Sequence, residues 1–288
     1  MNRITGLRYS TTNTYLIEGE RGMLLFDTGW AGTFPAFCHA LGEAEIPLQK
    51  IDYILISHFH PDHMGIAQEI AEHGPVIILA EPQKDHVHAY DEVLLRDRKV
   101  DFHPVREDRA KVLPLAESRS FLRELGIDGE ILSTPGHSED SITLALDDGT
   151  LFVGDLNPLY ELEMHRETLI GDSWEMLLAR SPKTVYYGHA RPYNLQKEDT
   201  CLENRQKEDA CLENRQKEDT CLEKRQSEDL YALVEKICRY IDKGLTLTKI
   251  TGKTGADPQF TEDVSRMYLT HRNVGVQGIL DRIEIKNR

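Results

Sequence analysis

The segment Ser57–Gly65 (SHFHPDHMG) carries three histidines and one aspartate, which are side chains that bind metal ions. The apolar run 51–56 lies directly before it and predicts a buried strand. Pro61 then separates the first two histidines from a helical pattern that starts at Ile66. The sequence therefore predicts a loop between a strand and a helix, with ligand-type side chains at the carboxyl end of the strand.

The spacing within this segment predicts two neighbouring binding positions. Residues two apart on extended backbone point to the same side, so His58 and His60 converge on one ion. Asp62 and His63 lie past the turn and face a neighbouring position. Such nitrogen and carboxylate ligands suit zinc, iron or manganese. The competing interpretation is an exposed polar loop with incidental histidines, and it is disfavoured because clustered ionisable groups need partners or a metal.

Three further predicted strands end beside a residue of the same kind. His137 follows the turn sequence TPG, Asp155 follows a glycine at the end of a predicted hairpin, and His189 follows a glycine after the next strand. Each placement alone is weak evidence. Four strand ends that each present a histidine or an aspartate predict one shared site.

Asp27 also lies at a strand end, after a hairpin predicted over 14–18 and 22–26. A carboxylate in this position orients a metal-binding histidine through a hydrogen bond, or it caps the segment that follows. The residues leave both interpretations open.

Further along the chain, the sequence predicts a helix over 34–44 and a strand over 76–80. The polar segment 82–125 predicts helices, carries His86, His88 and His103 as solvated surface residues, and is long enough to form a lid.

The composition limits the classes of function. The chain has 288 residues, which suffices for one large domain with an appendage or for two small ones. A formal net charge of −15 disfavours nucleic acid or an anionic membrane as the main partner. No apolar stretch has the length of a membrane span, and the amino terminus lacks a signal-peptide core. Five cysteines without a disulfide-type spacing favour a reducing, cytoplasmic setting.

The motifs H-x-H-x-D-H, T-P-G-H, a later G-D and a late G-H, with D-T-G upstream, resemble those of the metallo-β-lactamase-fold hydrolase superfamily. The resemblance extends over residues 13–189. It implies an αββα sandwich with the metal site at one edge, between two sheets. The alternation of strands and helices alone predicts only an α/β protein and does not separate this fold from a doubly wound sheet.

The resemblance also implies a dinuclear site with two divalent metal ions, zinc being expected and iron or manganese being the alternatives. Its ligand positions fall into two sets of three and one bridging residue: His58, His60 and His137; Asp62, His63 and His189; and Asp155. In such a site a metal-bridging hydroxide attacks the substrate. Asp62 is then the candidate for catalytic proton transfer to the leaving group. Asp27 is expected to support a ligand from behind.

The implied reaction is hydrolysis of an ester, thioester, lactone or phosphodiester in a small-molecule substrate. Members that open β-lactams do not carry the bridging aspartate, so Asp155 argues against antibiotic hydrolysis. Two alternatives remain open. One is a mononuclear iron oxidoreductase of the persulfide-dioxygenase type, and the other is a binding or sensor protein that retains the metals with little turnover.

The region after the motifs divides the chain into three predicted parts: a hydrolase domain over 1–195, a tandem decapeptide repeat over 196–225, and a helical region over 226–288. The three repeat units, which begin with QKED, predict a solvated helix. Their cysteines Cys201, Cys211 and Cys221 face different directions and are not expected to bind one metal. The last part is expected to form a small helical bundle, packed on the hydrolase domain or on a second subunit of a homo-oligomer.

Overall fold

The computed structural model describes residues 2–96, 100–159, 162–195, 219–243, 245–270, 276 and 278–280. The chain forms two compact units, Met1–Tyr193 and Asn194–Arg288.

The first sheet contains six strands in the order of the chain: β1 (Arg3–Leu7), β2 (Thr14–Glu18), β3 (Met23–Phe26), β4 (Tyr53–Leu55), β5 (Val76–Ala80) and β6 (Lys111–Leu113). Strands β1 to β3 are antiparallel, and β3 to β6 are parallel. Strand β6 lies in the segment 82–125, where the sequence predicted helices. It has only three residues, two of them exposed, so its pattern is too short to be recognised.

The second sheet contains five strands, again in the order of the chain: β7 (Gly129–Ser133), β8 (Ile142–Leu146), β9 (Thr150–Phe152), β10 (Thr184–Tyr186) and β11 (Tyr193–Asn194). Strand β8 is antiparallel to both β7 and β9, whereas β10 is parallel to β9. It follows that β7, β9 and β10 all run in the same direction and end at the same edge of the sheet.

Helices connect the strands of the first unit: α1 (Phe34–Glu43), α2 (Pro61–Met64), α3 (Ala67–Ala71), α4 (Asp91–Arg96), α5 (Ser118–Glu124), α6 (Leu162–His165) and α7 (Leu169–Leu178). Pro61 begins α2, where a missing backbone N–H costs nothing. Within the described part of the chain, no helix is long and apolar enough to cross a membrane.

The alternation of side chains along the strands explains the layers. In β3, Met23 and Leu25 point to one face, which packs against α1 and α3. Leu24 and Phe26 point to the other face, which packs against the second sheet and its buried Phe152. On the outer side of the second sheet, α7 buries Trp174. The indole Nε1 of Trp174 donates a hydrogen bond to a carbonyl oxygen in the loop after β9. The first unit is therefore an αββα sandwich, as predicted from the resemblance.

The second unit contains α8 (Asp219–Asp242), α9 (Leu247–Thr254) and α10 (Pro258–Thr270), which pack on one another. Their shared core includes Val234, Ile250 and Val264, all fully buried. The predicted repeat helix lies outside the described residues up to position 218, and 219–225 belong to α8. The carboxy-terminal region is helical, as expected, although α9 was not predicted.

Replacing Phe152 by alanine is expected to destabilise the sandwich by about 3–5 kcal/mol, because it removes a fully buried ring from between the sheets. The free energy of unfolding of this unit, from urea titration, measures the effect. Leu169→Ala is the control, since this side chain is 56% exposed and its loss should cost less than about 0.5 kcal/mol. Equal effects of the two variants would contradict the described core.

Candidate metal centre

The directions of the strands explain why the predicted ligands meet. The loop after β4 carries four of them, and it lies at the edge where the parallel strands β3 and β4 end. In the second sheet, β7, β9 and β10 end at a common edge and lead to His137, Asp155 and His189. The amide of Ile142, at the start of β8, donates a hydrogen bond to the carbonyl oxygen of Ser57 and joins the two edges. The structure thus brings all seven predicted ligands together.

His58, His60 and His137 form the first group. Their ligand atoms all lie within 4.8 Å of one another. The Nε2 atom of His137 is 3.1 Å from Nδ1 of His60. His58 uses Nδ1 to contact the hydroxyl of Ser57 at 3.0 Å, which leaves Nε2 directed at the site. That Nε2 atom is buried and makes no hydrogen bond to any described residue.

Asp62, His63 and His189 form the second group, again with ligand atoms within 4.8 Å of one another. The Nε2 atom of His189 is 2.8 Å from an oxygen of Asp62. On its other side, His189 donates from Nδ1 to the carbonyl oxygen of Thr11 at 2.9 Å. This hydrogen bond fixes the ring so that Nε2 is directed at the site. The sequence predicted the histidine but not its backbone partner.

Asp155 lies between the two groups. Its Oδ1 atom is 3.4 Å from Nε2 of His63 and 3.4 Å from Nε2 of His189. Its Oδ2 atom is 3.7 Å from Nε2 of His137, a member of the first group. One carboxylate therefore directs one oxygen to each group, which is the geometry of a bridging ligand.

The electrostatic environment of His58 and Asp155 favours the protonation states that bind metals. Burial lowers the pKa of His58 well below its usual range, and the neighbouring imidazoles lower it further. Burial acts to raise the pKa of Asp155, but His189 and His63 outweigh it and hold the pKa well below its usual range. Neutral imidazole and ionised carboxylate are the forms that act as ligands.

Asp27 fixes the ligand loop through hydrogen bonds with Ser57 and His63. One of its oxygens accepts a hydrogen bond from the backbone N–H of Ser57 at 2.7 Å, and the other accepts from the Ser57 hydroxyl at 2.9 Å. The second oxygen also lies 2.9 Å from Nδ1 of His63, which donates to it because the carboxylate has no proton to give. Burial acts to lower the pKa of His63, but the carboxylates of Asp27 and Asp155 raise it well above its usual range. Of the two interpretations left open for Asp27, the structure shows the orienting contact.

Other supporting residues carried no recognisable signal in the sequence. Asp140 accepts a hydrogen bond from the backbone N–H of Phe59 at 2.7 Å and is buried. The hydroxyl of Thr12 donates to the carbonyl oxygen of Asp62 at 2.6 Å. Asn13 donates from its side chain to the carbonyl oxygens of Tyr187 and Ala190, on either side of His189. These contacts join residues far apart in the chain, so spacing alone does not reveal them.

The remaining histidines of the segment 82–125 lie outside the two groups. His88 contacts Asp91 at 2.7 Å and Glu107 at 3.0 Å. His103 contacts Glu72 at 3.1 Å. His86 lines a cavity beside His60. His88 is exposed and His86 and His103 are partly exposed, in line with the prediction that these histidines lie at the surface.

The donor set fits a pair of divalent metal ions. Each group supplies three nitrogen or oxygen atoms within 4.8 Å, and Asp155 adds an oxygen toward both. The buried Nε2 atom of His58 has no hydrogen-bond partner among the described residues, and such burial is costly unless a ligand is bound there. Imidazole and carboxylate together suit zinc, iron and manganese.

Comparisons with known proteins agree with this site. A sequence model of the family described as "Metallo-beta-lactamase superfamily" matches residues 8–189, which include all seven candidate ligands. The Beta-lactamase-like protein 2 homolog of Drosophila melanogaster is 34% identical over 182 residues, covering 62% of this chain and 58% of that protein. The coenzyme F420H(2) oxidase of Methanothermobacter marburgensis is 31% identical over 71 residues, or 24% of this chain and 18% of that protein. The matched parts span less than two thirds of either relative.

Among solved structures, a metallo-beta-lactamase family protein from Thermus thermophilus is similar with a TM-score of 0.53. The similarity covers 99% of this chain and 94% of that chain, at 17% sequence identity. At this identity the likeness concerns the fold.

Asp27→Asn is expected to lower metal affinity by about 10- to 100-fold, because the amide cannot accept all the hydrogen bonds that fix Ser57 and His63. Asparagine is chosen because position 27 has a φ of +60°, which this residue tolerates. Competition with a chromogenic chelator measures the affinity. Asp128→Asn, at an exposed position, is the control and should leave it unchanged. Wild-type affinity in Asp27→Asn would exclude the orienting role.

Gly188→Ala is expected to reduce the metal content, because a Cβ atom there would lie 2.7 Å from Oδ1 of Asp155 and 2.7 Å from Cε1 of His63. Elemental analysis of the purified variant tests this. Gly42→Ala is the matched control, since its Cβ would meet no atom within 4 Å and helix α1 gains about 1 kcal/mol. A full metal complement in Gly188→Ala would show that the glycine is dispensable.

Proposed function

Because the chain belongs to the metallo-beta-lactamase superfamily, we propose that it is a dinuclear metal-dependent hydrolase acting on an ester, thioester, lactone or phosphodiester of a small molecule. The observation that carries the proposal is the position of Asp155, with one carboxylate oxygen toward each group of ligands. A site for a single ion needs no such bridge.

The residues of the site have distinct tasks in this reaction. Two divalent ions, when bound, supply a hydroxide nucleophile at neutral pH and polarise the scissile carbonyl or phosphoryl group. Asp155 fixes the separation of the two binding positions. His189 is held by Thr11 and His63 by Asp27, so neither ring can rotate away from the site. Asp62 would take up, on a carboxylate oxygen, the proton that water loses when the hydroxide forms, and would pass it to the leaving group.

Zinc is the metal that we propose, with iron and manganese as alternatives that bind the same donors. Elemental analysis of protein purified without added metal decides between them. About two ions per chain are expected from the two groups and their shared carboxylate. A single ion per chain, with the second position empty, would overturn the dinuclear assignment.

An iron-dependent oxidoreductase is the second candidate. It is supported by the similarity of a short region to the coenzyme F420H(2) oxidase and by ligands that iron accepts. A single iron per chain, together with oxygen consumption in the presence of a thiol or persulfide, would favour this candidate over hydrolysis.

Asp155→Ala removes the carboxylate that faces both ligand groups. The variant is expected to bind about one metal ion per chain instead of about two, and its turnover is expected to fall by about 100-fold or more. Turnover is measured on a panel containing one carboxylic ester, one thioester, one lactone and one phosphodiester. Asp128→Ala, which changes an exposed aspartate, is the control. Unchanged metal content and turnover in Asp155→Ala would refute the bridge, and no turnover by the wild-type protein on any substrate would refute the hydrolase.

A further inference from the structure

A cavity of about 220 Å³ lies directly beside the first group of ligands. The ring of His60 forms part of its wall, and the ring of Tyr90 meets His60 edge-on with centroids 5.3 Å apart. The cavity is therefore close enough to the candidate metal positions to hold a group that neighbours the scissile bond of a substrate.

Two carboxylic side chains, Asp140 and Glu139, contribute to the wall. Asp140 is buried and held in place by the backbone N–H of Phe59 at 2.7 Å. Glu139 lies at the rim, where its carboxylate is 3.9 Å from His86. None of the described residues that line the cavity is an arginine or a lysine. A carboxylate or phosphate entering the cavity would lose its hydration without gaining an arginine or lysine partner among these residues.

The other parts of the wall are apolar or aromatic. Phe59, Ala89 and Tyr90 supply this surface. Aromatic rings next to carboxylates accommodate alkyl groups, and they also attract organic cations through the ring face. The formal net charge of −15 also disfavours anionic ligands, because it repels them over longer distances.

We propose that this cavity binds the non-reacting group of the substrate, and that this group is uncharged or cationic but not anionic. The inference rests on the proposed hydrolase function, which it narrows to substrates without a second acidic group next to the scissile bond. Glu139 and Asp140 are the residues that determine the charge preference of the cavity.

Three 4-nitrophenyl esters that differ only at the end of the acyl chain test the proposal on the full-length protein loaded with its metal. The chains end in trimethylammonium, in its neutral isostere tert-butyl, or in carboxylate. The expected kcat/KM for the carboxylate ester is at least about tenfold below that of both others, because its charged end would lie beside Glu139 and Asp140, with no arginine or lysine among the described lining residues. A carboxylate ester that is hydrolysed as fast as the tert-butyl ester would overturn the inference and leave the hydrolase proposal intact.

Glu139→Lys then tests whether the cavity itself sets the preference. This variant is expected to raise the ratio of carboxylate to trimethylammonium kcat/KM by about tenfold, because it exchanges a rim anion for a cation. Glu124→Lys makes the same change of net charge on α5 and is the control, which should leave the ratio unchanged. An equal shift in both variants would show a general field effect and contradict the assignment to the cavity.

Binding of the corresponding amides keeps the inference testable if no ester is hydrolysed. Calorimetric titration of the metal-loaded protein with the three amides measures affinity without turnover. A carboxylate amide that binds at least about tenfold more weakly than the tert-butyl amide supports the cavity preference even when the hydrolase proposal fails. Equal or tighter binding of the carboxylate amide refutes it.

Discussion

The arrangement of the site depends on the hydrogen bonds that the buried carboxylate of Asp27 accepts. This carboxylate lies where β3 ends, accepts the backbone and side-chain hydrogens of Ser57, and accepts the Nδ1 hydrogen of His63. One residue at the end of one strand thereby fixes the start of the ligand loop and the orientation of a histidine six positions further on. The Ser57 hydroxyl extends the same network to His58, so members of both ligand groups are oriented through a single anion. Full burial strengthens these hydrogen bonds, because no water competes for the carboxylate.

The two sheets are equally necessary, because neither contains a complete site. The first sheet supplies the four ligands of the loop after β4, and the second supplies His137, Asp155 and His189. The packing of β3 against β9, with Phe26 on Phe152, places the two sets of strand ends at a common edge. The hydrogen bond from Ile142 to Ser57 then joins the sheets at the site itself. The apolar core and the polar site are thus consequences of the same alternation of side chains along the strands.

The sequence contained most of the information about the ligands and much less about what surrounds them. Histidines and aspartates at strand ends are visible because residue type and local spacing carry the signal, and the hairpin ending at Asp155 was predicted from its turn. Strand β6 was not predicted because three residues show too little periodicity. Strand β1 was not predicted because apolar and polar residues alternate poorly along it. The residues that hold the ligands and their loop, such as Thr11 for His189 and Asp140 for the backbone of Phe59, depend on contacts between distant parts of the chain. The cavity beside His60 depends on the loop that carries Tyr90, whose path no local pattern specifies.

The division of the ligands between the sheets links metal retention to the closure of the sandwich. An opening motion that separates the sheets takes His137, Asp155 and His189 away from the loop after β4 and leaves each partial ligand set with far lower affinity. Metal held by ligands from both sheets would therefore stabilise the closed form by mass action, with a free energy that grows with the logarithm of the free metal concentration. A metal centre of this kind would hold the two sheets together, in addition to being a candidate site of chemistry.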